Sequence, residues 1–307
     1  MKAPGKQILV FDTAYDFYKA HGVPVDASEA SSGFCIRTMS AYTNIGVQSQ
    51  LYRTEYFSFA FYKDARGGCS CDGSYFEIQP GMIIFNNPGH VKQFNLDYVK
   101  DLCHMTLSES FLKENVHNQI FDEFPFLLSE LIPPKVLEPL EFAPFEELYL
   151  QIQRAYDSAS PYKFKLIGHL CVALLIKIKE KFWVDYDPVA EGDRASEIVK
   201  RFKILLEKHY RDLSKGLVER LPRVTDYARS LNLHPNYLNT VIRIKTGKCA
   251  GDWIAEKTIA EAKALLKNST MTVKEISYRL GFAEIQHFST YFKKHTRLTP
   301  IVYRKGA

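Results

Sequence analysis

The spacing of apolar positions changes once along this chain, from every second residue to every third or fourth, and that change divides it. Between residues 34 and 107 aromatic residues alternate with small or polar ones: FSFAF at 57–61, YFEI at 75–78 and FNLDY at 94–98. This is the pattern of half-buried strands. Gly67-Gly68, Asp72-Gly73, Pro80-Gly81 and Asn87-Pro88-Gly89 supply turn chemistry between the runs, at the spacing of a small antiparallel sandwich or barrel. After residue 108 helical periodicity takes over. It is broken from Pro125 to Pro144 and resumes over 144–156 and 162–183, which predicts a helical hairpin. The second segment gathers Phe164, Ile167, Leu170, Cys171, Leu174, Leu175 and Ile178 on one broad face, suited either to pack on the β core or to pair with a second copy of the chain.

At 307 residues the chain exceeds what one hydrophobic core usually organises, so two domains are expected. The polar stretch DYDPVAEGDR at 185–194 contains Pro and Gly and marks the join. The expected division is a β-rich domain with a helical part over 1–185, the helices lying at about 144–183, then a linker over 186–195 and an all-helical domain over 196–307. The fold class is α+β.

Charge sharpens this division. Residues 196–307 carry 22 Lys+Arg against 10 Asp+Glu, net +12, whereas the first 195 carry 18 against 25, net −7. The overall +5 conceals a basic third whose simplest partner is a polyanion. A merely lysine-rich, solvated surface would look the same by charge alone. Cys35, Cys69, Cys71, Cys103, Cys171 and Cys249 form neither a CxxC pair nor a disulfide framework, which fits a reducing compartment. The longest apolar run, LCVALLI at 170–176, is too short to span a bilayer. A cytoplasmic protein with no membrane partner is expected.

The basic third contains an internal repeat. Ala228, Leu231, Leu233, Leu238, Ile242 and Thr246 recur as Ser277, Leu280, Phe282, Phe288, Phe292 and Thr296, offset by 49 residues and then by 50 after one insertion. Each copy reads as a short helix, a tight turn and a second helix. A helix-turn-helix needs a small residue where its helices cross, here Ala228 or Ser277. It also needs a residue tolerant of positive φ at the bend, here Asn232 or Gly281. His234-Pro235 opens the second helix of the first copy.

With PNYLNTVIRIKTGK at 235–248, IAEKTIAEAKALL at 254–266 and VKEISYRLGFAEIQHFSTYFKKHTRLTPIVYR at 273–304, residues 196–305 resemble the DNA-binding domain of the AraC/XylS family of bacterial transcription regulators. IQPGMIIFNNPGHV at 78–91 gives the N-terminal part a looser similarity to the sensor domain of that family. The resemblance implies a cupin-like jelly roll that senses a small molecule, helices that make a homodimer, double-stranded DNA as partner, and RNA polymerase as a further partner if the protein is an activator. It implies no catalytic residues and no cofactor.

The second helix of each unit would enter a major groove, the two grooves lying roughly 34 Å apart on B-form DNA. In the first copy Leu238, Val241 and Ile242 are expected in the core, leaving Asn236, Asn239 and Thr240, matched to the family, as base readers. In the second copy Phe288, Tyr291 and Phe292 are expected in the core, leaving Glu284, Ile285, Gln286, Ser289 and Thr290 toward the bases. Gln286 suits adenine, which Gln pairs bidentately. Arg243, Lys245, Lys293, Lys294, Arg297 and Arg304 are the expected phosphate contacts. Arg297 stands where the family usually keeps Gly, so either its helix ends differently or a phosphate contact offsets the strain.

For the N-terminal domain Tyr52, Tyr56 and Tyr62 are the candidate effector-binding residues, as aromatic side chains with polar tips. A metal-dependent enzyme of the same fold would need clustered His and carboxylate ligands. His90, His104 and His117 are scattered singly, so no metal site and no enzyme is expected. Cys69 and Cys71, as a CxC pair, offer a thiol sensor at most. The alternative is an effector-independent dimeric regulator whose N-terminal domain only dimerises.

Overall fold

The computed structural model describes residues 8–26, 32–39, 47–72, 74–117, 120–128, 133–182, 194–214 and 216–306. The chain forms two compact units, Met1–Phe111 with Ser129–Tyr186 and Leu112–Leu128 with Asp187–Ala307. Most of the expected linker, 186–193, lies outside the described residues, while its last two positions already belong to a helix.

The first unit is a mostly antiparallel sheet of nine strands among the described residues: β1 (Leu9–Phe11), β2 (Phe34–Met39), β3 (Val47–Gln48), β4 (Tyr52–Thr54), β5 (Phe57–Cys71), β6 (Ser74–Ile78), β7 (Met82–Asn86), β8 (Lys92–Leu107) and β9 (Lys135–Val136). A short helix, α1 (Ala14–Ala20), follows β1. The three alternating runs seen in the sequence fall in β5, β6 and β8. Gly67-Gly68 does not form the expected turn. β5 runs through it for 15 residues, paired with β8 from Phe57↔Leu107 to Cys71↔Lys92. The register shifts between Arg66 and Gly67, where φ is +153° and a Cβ would stand 2.1 Å from the Asn95 carbonyl oxygen. These glycines let two long strands bend and approach; they do not reverse the chain.

The predicted hairpin is present as α4 (Pro139–Asp157) and α5 (Lys163–Phe182), introduced here after α2 (Glu109–Asn115) and α3 (Ile120–Glu123). α4 starts five residues earlier than predicted, because Pro139 takes the first helical position and Glu141 accepts from the Glu138 N–H. Pro144 lies inside it, and Leu140, whose carbonyl loses an N–H partner, is 90% exposed and open to water. The broad α5 face is used within the unit: Ile167, Cys171, Leu174, Leu175 and Ile178 are buried, and Phe164 meets Phe111 edge-on at 6.1 Å. Phe61 against Tyr149 and Phe34 against Tyr156 join the sheet to α4.

The second unit holds α6 (Arg194–Ser214), α7 (Val224–Ser230), α8 (Pro235–Thr246), α9 (Ala250–Asn268), α10 (Val273–Arg279), α11 (Ile285–Thr296) and α12 (Pro300–Lys305). Two cores run through it. Phe202, Leu206, Tyr210, Ala228, Leu238, Ile242 and Ile254 share one; Ile259, Ala262, Leu266, Ile276, Phe288 and Phe292 share the other. α9 supplies residues to both and so fixes one repeat against the other.

The expected unbroken 1–185 domain is corrected at 112–128, which belongs to this second unit. The reason is polar burial. Lys113 is fully buried and ion-pairs with Glu261 of α9. Glu114 accepts from Tyr303 Oη at 2.9 Å, its carbonyl accepts from Asn268 Nδ2 at 2.8 Å, and Lys257 Nζ lies 4.7 Å over the Phe121 ring.

Candidate nucleic-acid interface

Local chemistry sets each helix-turn-helix. In the first, Asp226 accepts from the Arg223 N–H at 2.8 Å and takes both terminal nitrogens of Arg220 at 2.8 and 2.7 Å. The Arg220 guanidinium holds its carboxyl down to about 2. In the second, Thr272 and Glu275 form a reciprocal cap, with Thr272 N–H on Glu275 Oε2 at 2.6 Å and Glu275 N–H on Thr272 Oγ1 at 3.2 Å. Asn232 at φ +54° and Gly281 at φ +79° make the bends, and Ala228 and Ser277 are fully buried where the helices cross. At Gly281 a Cβ would stand 2.6 Å from the Arg220 carbonyl carbon, so this bend requires glycine on two counts.

Leu238, Ile242, Phe288 and Phe292 are fully buried, Val241 nearly so, and Tyr291 half-buried. That fixes the outward faces. α8 exposes Asn236, Thr240 and Arg243, with Lys245 half-buried. α11 exposes Gln286, Thr290, Lys293 and Lys294, with Glu284 at its N-cap and Ile285 and Ser289 half-buried. These side chains form two patches of like layout, polar at the helix start and basic toward its end.

Two of the expected contacts have partners within the unit. Asn239 Oδ1 accepts the Ala250 N–H at 2.9 Å, which ties its side chain to the start of α9. Arg304 donates Nε to the Leu266 carbonyl at 3.0 Å while its Nη2 is buried, so its guanidinium closes the end of α9. Arg297 occupies the left-handed C-cap at φ +65°, its N–H on the Lys293 carbonyl at 2.9 Å. The helix therefore ends as its counterpart does at Gly247, φ +85°. Tyr237 and His287 were passed over in the sequence, yet both are exposed beside Asn236 and Gln286. Helical phase was the available signal, since each lies three residues before an exposed threonine, Thr240 or Thr290.

The first unit encloses a second candidate site, a cavity of about 160 Å³. Tyr52 and Tyr62 line it. Tyr56 does not: it packs with Phe11, Phe17, Tyr18 and Cys35 in an aromatic cluster behind the wall, to which Phe17 and Tyr18 also belong. Burial lowers His104 to about 3, and its Nδ1 lies 2.8 Å from Tyr18 Oη, so the imidazole is neutral. Burial also pushes the Cys69 thiol to about 11 and Cys71 to about 12, which keeps both from the thiolate a redox sensor needs. Cys71, Asp72 and His90 bring potential ligand atoms within 4.8 Å of one another, but His90 Nδ1 is engaged by Asp72 at 2.6 Å.

Residues 227–306 match the family model of a helix-turn-helix domain. The uncharacterized HTH-type transcriptional regulator YobQ of Bacillus subtilis is 33% identical over 88 residues, 29% of this chain and 36% of its own. The arabinose operon regulatory protein of Salmonella typhimurium is 22% identical over 242 residues, 76% of this chain and 78% of its own. The chain thus spans about a third of the length of the first curated relatives it matches. Among solved structures, ToxT from Vibrio cholerae covers 89% of this chain and 98% of its own at 15% identity, with a TM-score of 0.37.

Proposed function

We propose that the chain, whose residues 227–306 match the family model of a helix-turn-helix domain, is a sequence-specific DNA-binding transcription regulator of the AraC type, controlled by a small molecule held in the cavity of its first unit. The observation that carries this is the paired reader. Two helix-turn-helix units share α9, and each turns the outer face of its second helix to solvent. Asn236, Thr240, Gln286 and Thr290 read bases, with Glu284, Ile285 and Ser289 at the edge of the second patch. Arg243, Lys245, Lys293, Lys294 and Arg297 neutralise phosphates. Asn239 and Arg304 support α9.

Double-stranded DNA is then the principal partner. Two copies bind paired half-sites, and RNA polymerase is met at promoters where the protein activates. No helix among the described residues is long and apolar enough to cross a membrane, in keeping with a cytoplasmic regulator. Regulation, with no catalysis, is the activity assigned.

Selection of bound sequences from a random DNA pool by the full-length protein, near physiological salt, tests the reading. Two short sequence blocks spaced by about one helical turn are expected. Enrichment of no motif, with and without added small molecules, would overturn it. Enrichment that no small molecule alters would instead favour the effector-independent dimer.

A further inference from the structure

We propose that the cavity of the first unit takes a small monocarboxylate with an apolar body, its carboxylate held by Lys92 and its body packed against Phe76, Phe94, Leu96 and Leu102. This rests on reading the cavity as the effector site and names the class of effector. Lys92 lines the cavity and is 4% exposed. A buried ammonium normally has a carboxylate beside it, because desolvation of an unpaired charge is costly. Lys92 has a hydroxyl and a ring: its Nζ donates to Thr54 Oγ1 at 2.6 Å and lies 5.5 Å over Tyr52. Asp72, a carboxylate whose charge also acts on it after the Cys71 thiol, is engaged by His90 Nδ1 at 2.6 Å and the Val91 N–H at 2.8 Å.

The wall of the cavity bears no Asp or Glu, and Lys92 is its one Lys or Arg among the described residues. The remainder is mostly aliphatic and aromatic, with Ser58, Ser70, Asn86 and Gln93, the imidazoles of His21 and His104 and the hydroxyls of Tyr18, Tyr52 and Tyr62 as further polar groups. Such a wall suits a ligand with one anionic end and a largely apolar body. A cationic ligand would meet Lys92 without a counter-charge. A cavity of about 160 Å³ accepts a body about the size of a benzene ring. Lys92 itself is held rigidly, paired in register with Tyr52 on one side and Cys71 on the other. Burial lowers it from 10.5 to about 8, which leaves it mostly protonated at neutral pH and ready to gain from an anion.

The test is calorimetry of the full-length protein with octanoate and 3-phenylpropanoate against 1-octanol and 3-phenylpropanol, which share their apolar bodies. Each carboxylate is expected to bind at least about tenfold more tightly than its alcohol. Lys92→Met should abolish that preference while the alcohols bind as before, and Lys92→Arg should keep it. Circular dichroism and binding to the selected DNA check that the variants are folded. Equal affinity for acid and alcohol, a preference that survives Lys92→Met, or silence of both carboxylates at millimolar concentration overturns the proposal. A parallel thermal-shift screen with neutral sugars and amines keeps the two readings apart. Stabilisation by one of these, with carboxylates silent, overturns the carboxylate class and leaves a sensor; silence of every class removes the sensor as well.

Discussion

Lys92 carries a cost in the folded protein that an apolar residue would not. Its depressed value means that between pH 8 and 10.5 the unfolded chain holds a proton there that the folded protein lacks, so this residue makes stability rise with pH through that window. Below pH 8 the full penalty applies, on the order of 3 kcal/mol. Without ligand, Lys92→Met is therefore expected to raise the denaturant midpoint at pH 7 and to lose most of that advantage by pH 10. A residue tolerated at such a cost in an otherwise neutral wall fits a binding role. At the DNA face, Gln286→Ala is expected to weaken discrimination at one or two base positions by ~1–3 kcal/mol each. Lys293→Ala should lower affinity for specific and random DNA alike and reduce the salt dependence by about one counterion. Titrations on the selected and scrambled sites at several salt concentrations separate the two effects, and equal losses on both sites for Gln286→Ala would remove it from the base readers.

The ends and bends of the helices carry the next set of consequences. Gly281→Ala would place a methyl group 2.6 Å from the backbone at Arg220 and Leu221, in a left-handed conformation. A loss of about 2 kcal/mol or more is expected, read as a shift in the urea midpoint. Arg297→Gly relieves the same kind of strain and should stabilise by about 1 kcal/mol. A fall in affinity for all DNA sequences should accompany it under the phosphate role proposed for Arg297, and unchanged affinity would remove that role. The repeat was legible in the sequence because its bends are local: Asn232 and Gly281 announce positive φ, and Ala228 and Ser277 announce a close crossing. Gly67-Gly68 was misread because the same residue type serves a bulge within a ladder as readily as a turn between strands. The partners of Asn239 and Arg304 were not legible because helical phase shows which side chains point outward but not which of them then meet a neighbouring helix end.

At the scale of the whole molecule, the buried Lys113–Glu261 pair joins residues 148 apart in sequence. Neither position carries a local signal, and for the same reason the placement of 112–128 and the setting of Lys92 could not be read from the chain alone. Lys113→Met should cost about 3–5 kcal/mol by leaving Glu261 buried without its main counter-charge. Adding Glu261→Leu should recover most of that loss, and urea denaturation of the single and double variants measures both. Recovery that fails would mean that the pair holds the segment in place by geometry that apolar packing cannot replace.

The divided make-up of the second unit also sets an order of events while the chain is being made. Phe121, Phe124, Phe126 and Leu127 are all at most 2% exposed once folding is complete, yet they leave the ribosome well before α9 exists to receive Lys113. With synthesis at ~5–20 residues per second, the 148 residues between Lys113 and Glu261 take roughly 7–30 s. For that interval a cluster of aromatic side chains has no finished core to enter. A chain released at residue 185 would lack the helices that complete the second unit and would keep that surface uncovered.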